Sequence, residues 1–164
     1  MLPDSMAHLH QHAAQPRARH HSLPVNETVV DSMVELARCS KQHRIIIAGS
    51  RSPALMIGLH QRGYYRVETV ASCGAPRGQY DVALVDWRGR SIRALAATLD
   101  WLVHFLGSSA VLVVWIDSQE RAGGARLQSV LERFGFQIEV GTRSPAGCGV
   151  AACRRDPAPK AAAA

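Results

Sequence analysis

The stretch IIIAGSRSPALMIGLHQRG, residues 45–63, decides how the rest of the chain reads. Ile45, Ile46, Ile47 and Ala48 form a short, wholly apolar and mostly β-branched run. A strand with one wet face would alternate, so an unbroken run predicts a strand covered on both faces. Gly49-Ser50-Arg51-Ser52-Pro53 ends it. Ser52 suits the cap of a following helix, and Pro53 its first turn, where a missing N–H costs nothing. Leu55, Met56 and Leu59 give that helix an apolar face, and Gly63 supplies a left-handed stop. A buried strand feeding a helix through a short loop is the repeating unit of a parallel α/β sheet.

The same alternation continues on either side. Upstream, Val29, Val30, Met33, Val34 and Ala37 share one helical face, with Asn26 placed to cap it. Downstream, residues 66–71 read as a second strand and residues 72–79 as a Gly/Pro-rich loop. Residues 80–86 carry another buried run, Val82-Ala83-Leu84-Val85. A long helix follows, with Ile92, Leu95, Ala96, Leu99, Leu102, Val103 and Leu106 at helical spacing. Gly107-Ser108-Ser109 is read as a break before the strongest strand, residues 111–116. A helix bearing Leu127, Val130, Leu131 and Phe134 then stops at Gly135. Residues 136–140 and 149–153 flank a turn around Pro145-Ala146-Gly147 and predict an antiparallel pair. The expectation is one α/β domain over residues 25–155, in three layers, with a mostly parallel sheet closed by that antiparallel pair.

The ends differ from this middle. Residues 1–24 hold five of the eight histidines without apolar periodicity, and residues 156–164 are mainly Pro and Ala. Both are expected to be disordered tails, since they bury too little to offset the entropy of ordering. The chain of 164 residues carries a formal charge of +6. Residues 25–153 contain 14 basic against 11 acidic side chains, a modest surplus spread along the chain. That dispersal argues against nucleic acid as the partner. A homo-oligomer, a small molecule or a protein partner all stay open. The first 24 residues lack an apolar signal core, and Asp100, His104 and the Gly-Ser-Ser break interrupt the apolar residues 99–116. No membrane partner is therefore expected, and a cytoplasmic location is. Cys39, Cys73, Cys148 and Cys153 form no CxxC pair, so reduced thiols are expected and a metal is not.

Ligands in open α/β sheets collect beyond the carboxyl ends of the strands, near the point where strand order reverses. That rule selects Gly49-Ser50-Arg51-Ser52, Asp86-Trp87-Arg88 and Asp117-Ser118-Gln119. The first could hold an anion at a helix amino end, or be a plain capped turn. Asp86 could accept from a ligand hydroxyl or amine beside a stacking Trp87, or cap its own loop. Asp117 or Ser118 reads chiefly as a helix cap. Asp100 and His104 stand at i, i+4, a surface pair rather than a catalytic dyad. Arg88, Arg90 and Arg93 offer an anion patch or simply a solvated helix start. No catalytic residue declares itself.

The order of elements, with the phrases IIIAGSRSPALMIGLHQRG, YDVALVDW (80–87), AVLVVWI (110–116) and LQSVLERFGF (127–136), resembles class I S-adenosylmethionine-dependent methyltransferases. The resemblance implies a Rossmann-like fold and S-adenosylmethionine (SAM) as cofactor. It would place SAM over Gly49, Ser50 and Arg51, with Asp86, Trp87 and Asp117 beside it. Where that family carries GxGxG this chain has AGSRS, and where its second strand ends in an acid this one ends Val70-Ala71-Ser72. The function implied is a diverged small methyltransferase of unnamed substrate. The alternative is a Rossmann-like binding or regulatory module that has lost the cofactor.

Overall fold

A computed structural model describes residues 25–69, 77–117 and 123–154. The expectations for both tails, for the end of the second strand, for most of the Gly/Pro-rich loop and for Ser118-Gln119 lie outside them. Ten elements follow one another: α1 (Val25–Leu36), β1 (Ile45–Gly49), α2 (Ser52–Gln61), β2 (Val67–Thr69), β3 (Tyr80–Asp86), α3 (Ile92–Leu102), β4 (Leu106–Ile116), α4 (Gly123–Arg133), β5 (Phe136–Ser144) and β6 (Gly147–Arg154). Six strands form one sheet in the order β2-β1-β3-β4-β6-β5. The first four are parallel; β6 runs antiparallel to β4, and β5 antiparallel to β6.

The apolar runs make sense in this sheet because alternate residues serve opposite layers. Ile46, Ala48, Ala83, Val85, Leu112 and Val114 pack under α3 and α4 with Leu95, Leu99, Leu127 and Leu131. Their neighbours Ile45, Ile47, Val82, Leu84, Val113 and Trp115 pack under α1 and α2 with Val29, Met33, Leu55 and Leu59. Ile45, Ile46 and Ile47 are each fully buried, so each withdraws a whole side chain from water, roughly 1.5–3 kcal/mol. The helices thus cover both faces, as expected of a three-layer α/β domain.

Several boundaries differ from the sequence reading, each for a local reason. α1 begins at Val25, which puts Asn26 inside the helix rather than at its cap. Ser52 is the first residue of α2, not its cap. Arg51 occupies the cap position with no side-chain hydrogen bond, while the Ser52 hydroxyl donates back to the Gly49 carbonyl at 2.8 Å. α3 stops at Leu102, and Leu106 belongs to β4 beside Tyr80. Gly107-Ser108-Ser109 lies within β4, where the register against β3 slips between the Tyr80 and Val82 pairings. The helical spacing of Leu106 is therefore a coincidence, whereas half-buried Val103 is the C-cap of α3 and still donates its N–H to the Leu99 carbonyl. The closing hairpin is longer than expected, with Ser144 opposite Gly147 and only Pro145-Ala146 in the turn. Gly63 does end α2 in the left-handed region, at φ +80°.

Among the described residues, no helix is long and apolar enough to cross a membrane. Cys39, Cys148 and Cys153 are free thiols. Burial pushes the Cys39 thiol up to about 11, with nearby Lys41 opposing, and burial together with Glu139 raises Cys153. The thiolate is the reactive form. At pH 8, Cys39 should be alkylated by iodoacetamide about a hundredfold more slowly than a free cysteine peptide. Peptide-resolved mass spectrometry over a time course checks this; alkylation at the peptide rate would show that the site opens readily.

Candidate functional site

β1 sends the chain outward to β2 in one direction and to β3 in the other, so the switch in strand order falls between β1 and β3. Their carboxyl ends are flush there: Gly49 pairs with Asp86, and Asp86 in turn with Trp115. Among the described residues, the chain after β1 and after β3, and Asp117 after β4, leave the sheet at one edge. Gly49 has φ +110°, and a Cβ built on it would run into the Asp86 carbonyl. Only glycine lets the loop leave β1 this close to β3.

The three selected acids and rings are already engaged. Asp86 alternates to the α1/α2 side, where Arg88 grips it: Nε donates to Oδ1 at 2.9 Å and a terminal nitrogen to Oδ2 at 2.5 Å. Both side chains are buried, with exposures of 4% and 6%. The Arg88 backbone N–H donates to the same carboxylate, which also closes the loop. That pairing raises the Arg88 guanidinium further above its ordinary range, against the pull of burial. Trp87 is buried on the α3 side; its indole N–H donates to the Ser91 carbonyl at 2.8 Å, and Arg90 lies 4.7 Å over its ring. Asp117 is exposed and accepts from the Gly89 N–H at 2.5 Å, tying the end of β4 to the β3–α3 loop. It lies six residues before α4 begins at Gly123, and so does not cap that helix. The arginines after β3 do not act as one patch, because Arg88 is buried, Arg90 stacks and Arg93 lies elsewhere.

A cleft of about 340 Å³ opens beside this edge, on the α3 side of the sheet. Its walls include Gly49, Ser52, Thr69, Arg90, Thr98 and Trp101. Thr98 and Trp101 carry no signal in sequence, since they belong to a helix that reads as packing; Arg90, one of the three arginines that offer an anion patch, is the one that lines this cleft. Ser50 and Arg51 are exposed at the rim of the loop, and Arg51 flanks a narrow crevice with Asp86 and Arg88 on the far side. Glu68 is turned from the cleft's carboxyl edge towards Tyr80, whose hydroxyl donates to it at 2.6 Å. Asp100 and His104 do not pair: His104 sits beyond the end of α3, in the turn, and the i, i+4 geometry is not realised. Among the described residues no cluster of three or more His, Cys, Asp or Glu side chains is placed to hold a metal.

A parallel sheet with its switch between β1 and β3, a glycine-hinged first loop and a closing antiparallel hairpin define a methyltransferase-like Rossmann fold. Solved structures share it. The ribosomal protein L11 methylase of Lactobacillus delbrueckii subsp. bulgaricus superposes with a TM-score of 0.61 at 15% identity, over 80% of this chain and 79% of its own. Magnesium protoporphyrin IX methyltransferase of Synechocystis, with SAM bound, gives 0.55 at 16% identity over 80% of each chain. The cyclase SpnF gives 0.52 at 14% identity, over 78% of this chain and 80% of its own. No protein-family model matches the sequence, and no curated protein matches it. At these identities the likeness is one of fold.

Proposed function

We propose that the cleft beside Gly49 binds SAM or its demethylated product, and that the chain is a small, diverged SAM-dependent methyltransferase. The observation that carries this reading is the position of the cleft, at the switch in strand order and over the glycine-hinged loop. Its volume of about 340 Å³ is in the range that small-molecule sites occupy. The amino end of α2 opens from the same loop without a side-chain cap, which suits a carboxylate such as that of the cofactor's amino-acid end. Thr98 and the apolar face of Trp101 would lie along its base. In this reading Gly49, Ser50 and Arg51 meet the cofactor, while Asp86, Trp87 and Asp117 hold their loops from behind. The ribose end fits less fully, because none of the described lining residues carries a carboxylate and Arg90 supplies the only formal charge among them.

SAM bound there would supply an activated methyl group. The chain's own contribution would be binding and alignment, which for a transfer of this kind can supply most of the rate. Thermal denaturation of the full chain with and without ligand tests the reading. Ligand at about 100 times its dissociation constant should add about 2.7 kcal/mol to stability, and Thr98→Trp, which fills the cleft, should abolish the gain. No stabilisation by millimolar SAM or its demethylated product would overturn it, leaving a Rossmann-like binding module.

A further inference from the structure

A cleft larger than the one beside Gly49 opens elsewhere on the described surface. It has a volume of about 570 Å³ and lies between the first turns of α3 and α4. Its floor is apolar, with Ile92, Ala125 and Val130, and Ile92 and Val130 continue into the core under α3 and α4. Its two hydroxyls serve the helices: Ser91 caps α3 by accepting from the Ala94 N–H, and Ser129 donates to the Ala125 carbonyl at 3.0 Å. The polar groups left to the cleft are two guanidiniums, Arg93 from α3 and Arg126 from α4.

Their placement runs against local electrostatics. The amino ends of helices favour acids, yet neither α3 nor α4 has an acid in its first turn, and each carries an arginine there instead. The other arginines near the sheet are mostly neutralised or stacked: Arg88 on Asp86, Arg62 on Asp31, Arg90 on Trp87, Arg133 on Phe134. Arg93 and Arg126 have no ion pair or hydrogen bond among the described residues, and both are exposed. Two like charges, two helix dipoles of the same sign and an apolar floor therefore share one concavity. An anion is the species that relieves all four at once.

We infer that the cleft between α3 and α4 binds a small molecule with an apolar body and an anionic head, a carboxylate or phosphate. The body lies on Ile92, Ala125 and Val130; the head is held between Arg93 and Arg126. The inference does not depend on the cofactor cleft, whose lining residues are different.

Calorimetric titration of the full chain tests it with 1-naphthoate, 1-naphthyl phosphate and 1-naphthylmethylamine, which share an aromatic body and differ in charge. The two anions should bind and the amine should not. The ratio of the two anion affinities distinguishes a carboxylate from a phosphate site. Arg93→Gln and Arg126→Gln should each weaken anion binding by about tenfold. Ala125→Trp should block it by occupying the floor. All three positions are exposed, so circular dichroism should report an unchanged fold. Absence of binding by both anions at millimolar concentration, equal binding of the amine, or affinities unchanged in both arginine variants would overturn the assignment.

Discussion

Replacing Asp86 with alanine is expected to destabilise the fold by about 3–5 kcal/mol, because it strands a buried guanidinium. Arg88 is 6% exposed, and Val29, Val30 and Leu55 wall the crevice beside it. The guanidinium would keep its desolvation cost and lose two side-chain hydrogen bonds together with the carboxylate. A solvent-exposed pair such as an ordinary surface bridge would cost under about 1 kcal/mol. Urea denaturation decides between these, as a lowered midpoint at constant slope. The double variant Asp86→Leu with Arg88→Met should recover most of the loss, since apolar residues of similar volume often replace a buried pair without penalty. That double variant also separates structure from ligand binding. If it folds and still responds to SAM, Asp86 acts only by holding the β3 loop; if it folds and does not respond, Asp86 contributes to the site.

Gly49→Ala should be similarly severe, about 3–5 kcal/mol, for two reasons that add. At φ +110° a side chain is strained, and its Cβ would meet the Asp86 carbonyl, a backbone atom that cannot swing aside. Relief would require the ends of β1 and β3 to part at the Gly49–Asp86 pairing. Gly89→Ala is the matched control. Its φ is +74° but nothing lies within 4 Å of its would-be Cβ, so only the conformational cost of about 1 kcal/mol applies. Equal losses in the two variants would show that strain alone matters at Gly49. A loss at Gly49 several times that at Gly89, measured by the same urea midpoints, is the expected result.

Much of this fold is legible in the sequence itself. Ile45-Ile46-Ile47 and the runs around Leu84 and Val113 announced central strands because burial on both faces removes every polar residue, a signal that needs no partner to be seen. Gly49, Gly63 and Gly135 marked the ends of elements, since the chain must there adopt a conformation that other residues resist. Strand ends were less legible. Leu106 fits the periodicity of α3 and is claimed by β4, and only pairing with Tyr80 settles which. Cap assignments failed at Ser52 and Asp117 because each side chain found a different nearby partner, the Gly49 carbonyl and the Gly89 N–H.

The candidate site divides in the same way. Strand-to-helix order alone determined that residues after β1, β3 and β4 would share one edge, because parallel strands put all their carboxyl ends together. Tertiary structure alone decided what those residues do. Asp86 and Trp87 are adjacent in sequence, but strand alternation sends the acid towards Arg88 under α1 and α2 and the indole into the core under α3. The cleft walls, Thr98 and Trp101 beside Gly49, and Arg93 beside Arg126, come from segments far apart in the chain. Residues 45–63 therefore determined by their own pattern that this protein is a buried-strand α/β fold; where clefts open beside that sheet was decided by how the helices pack over it.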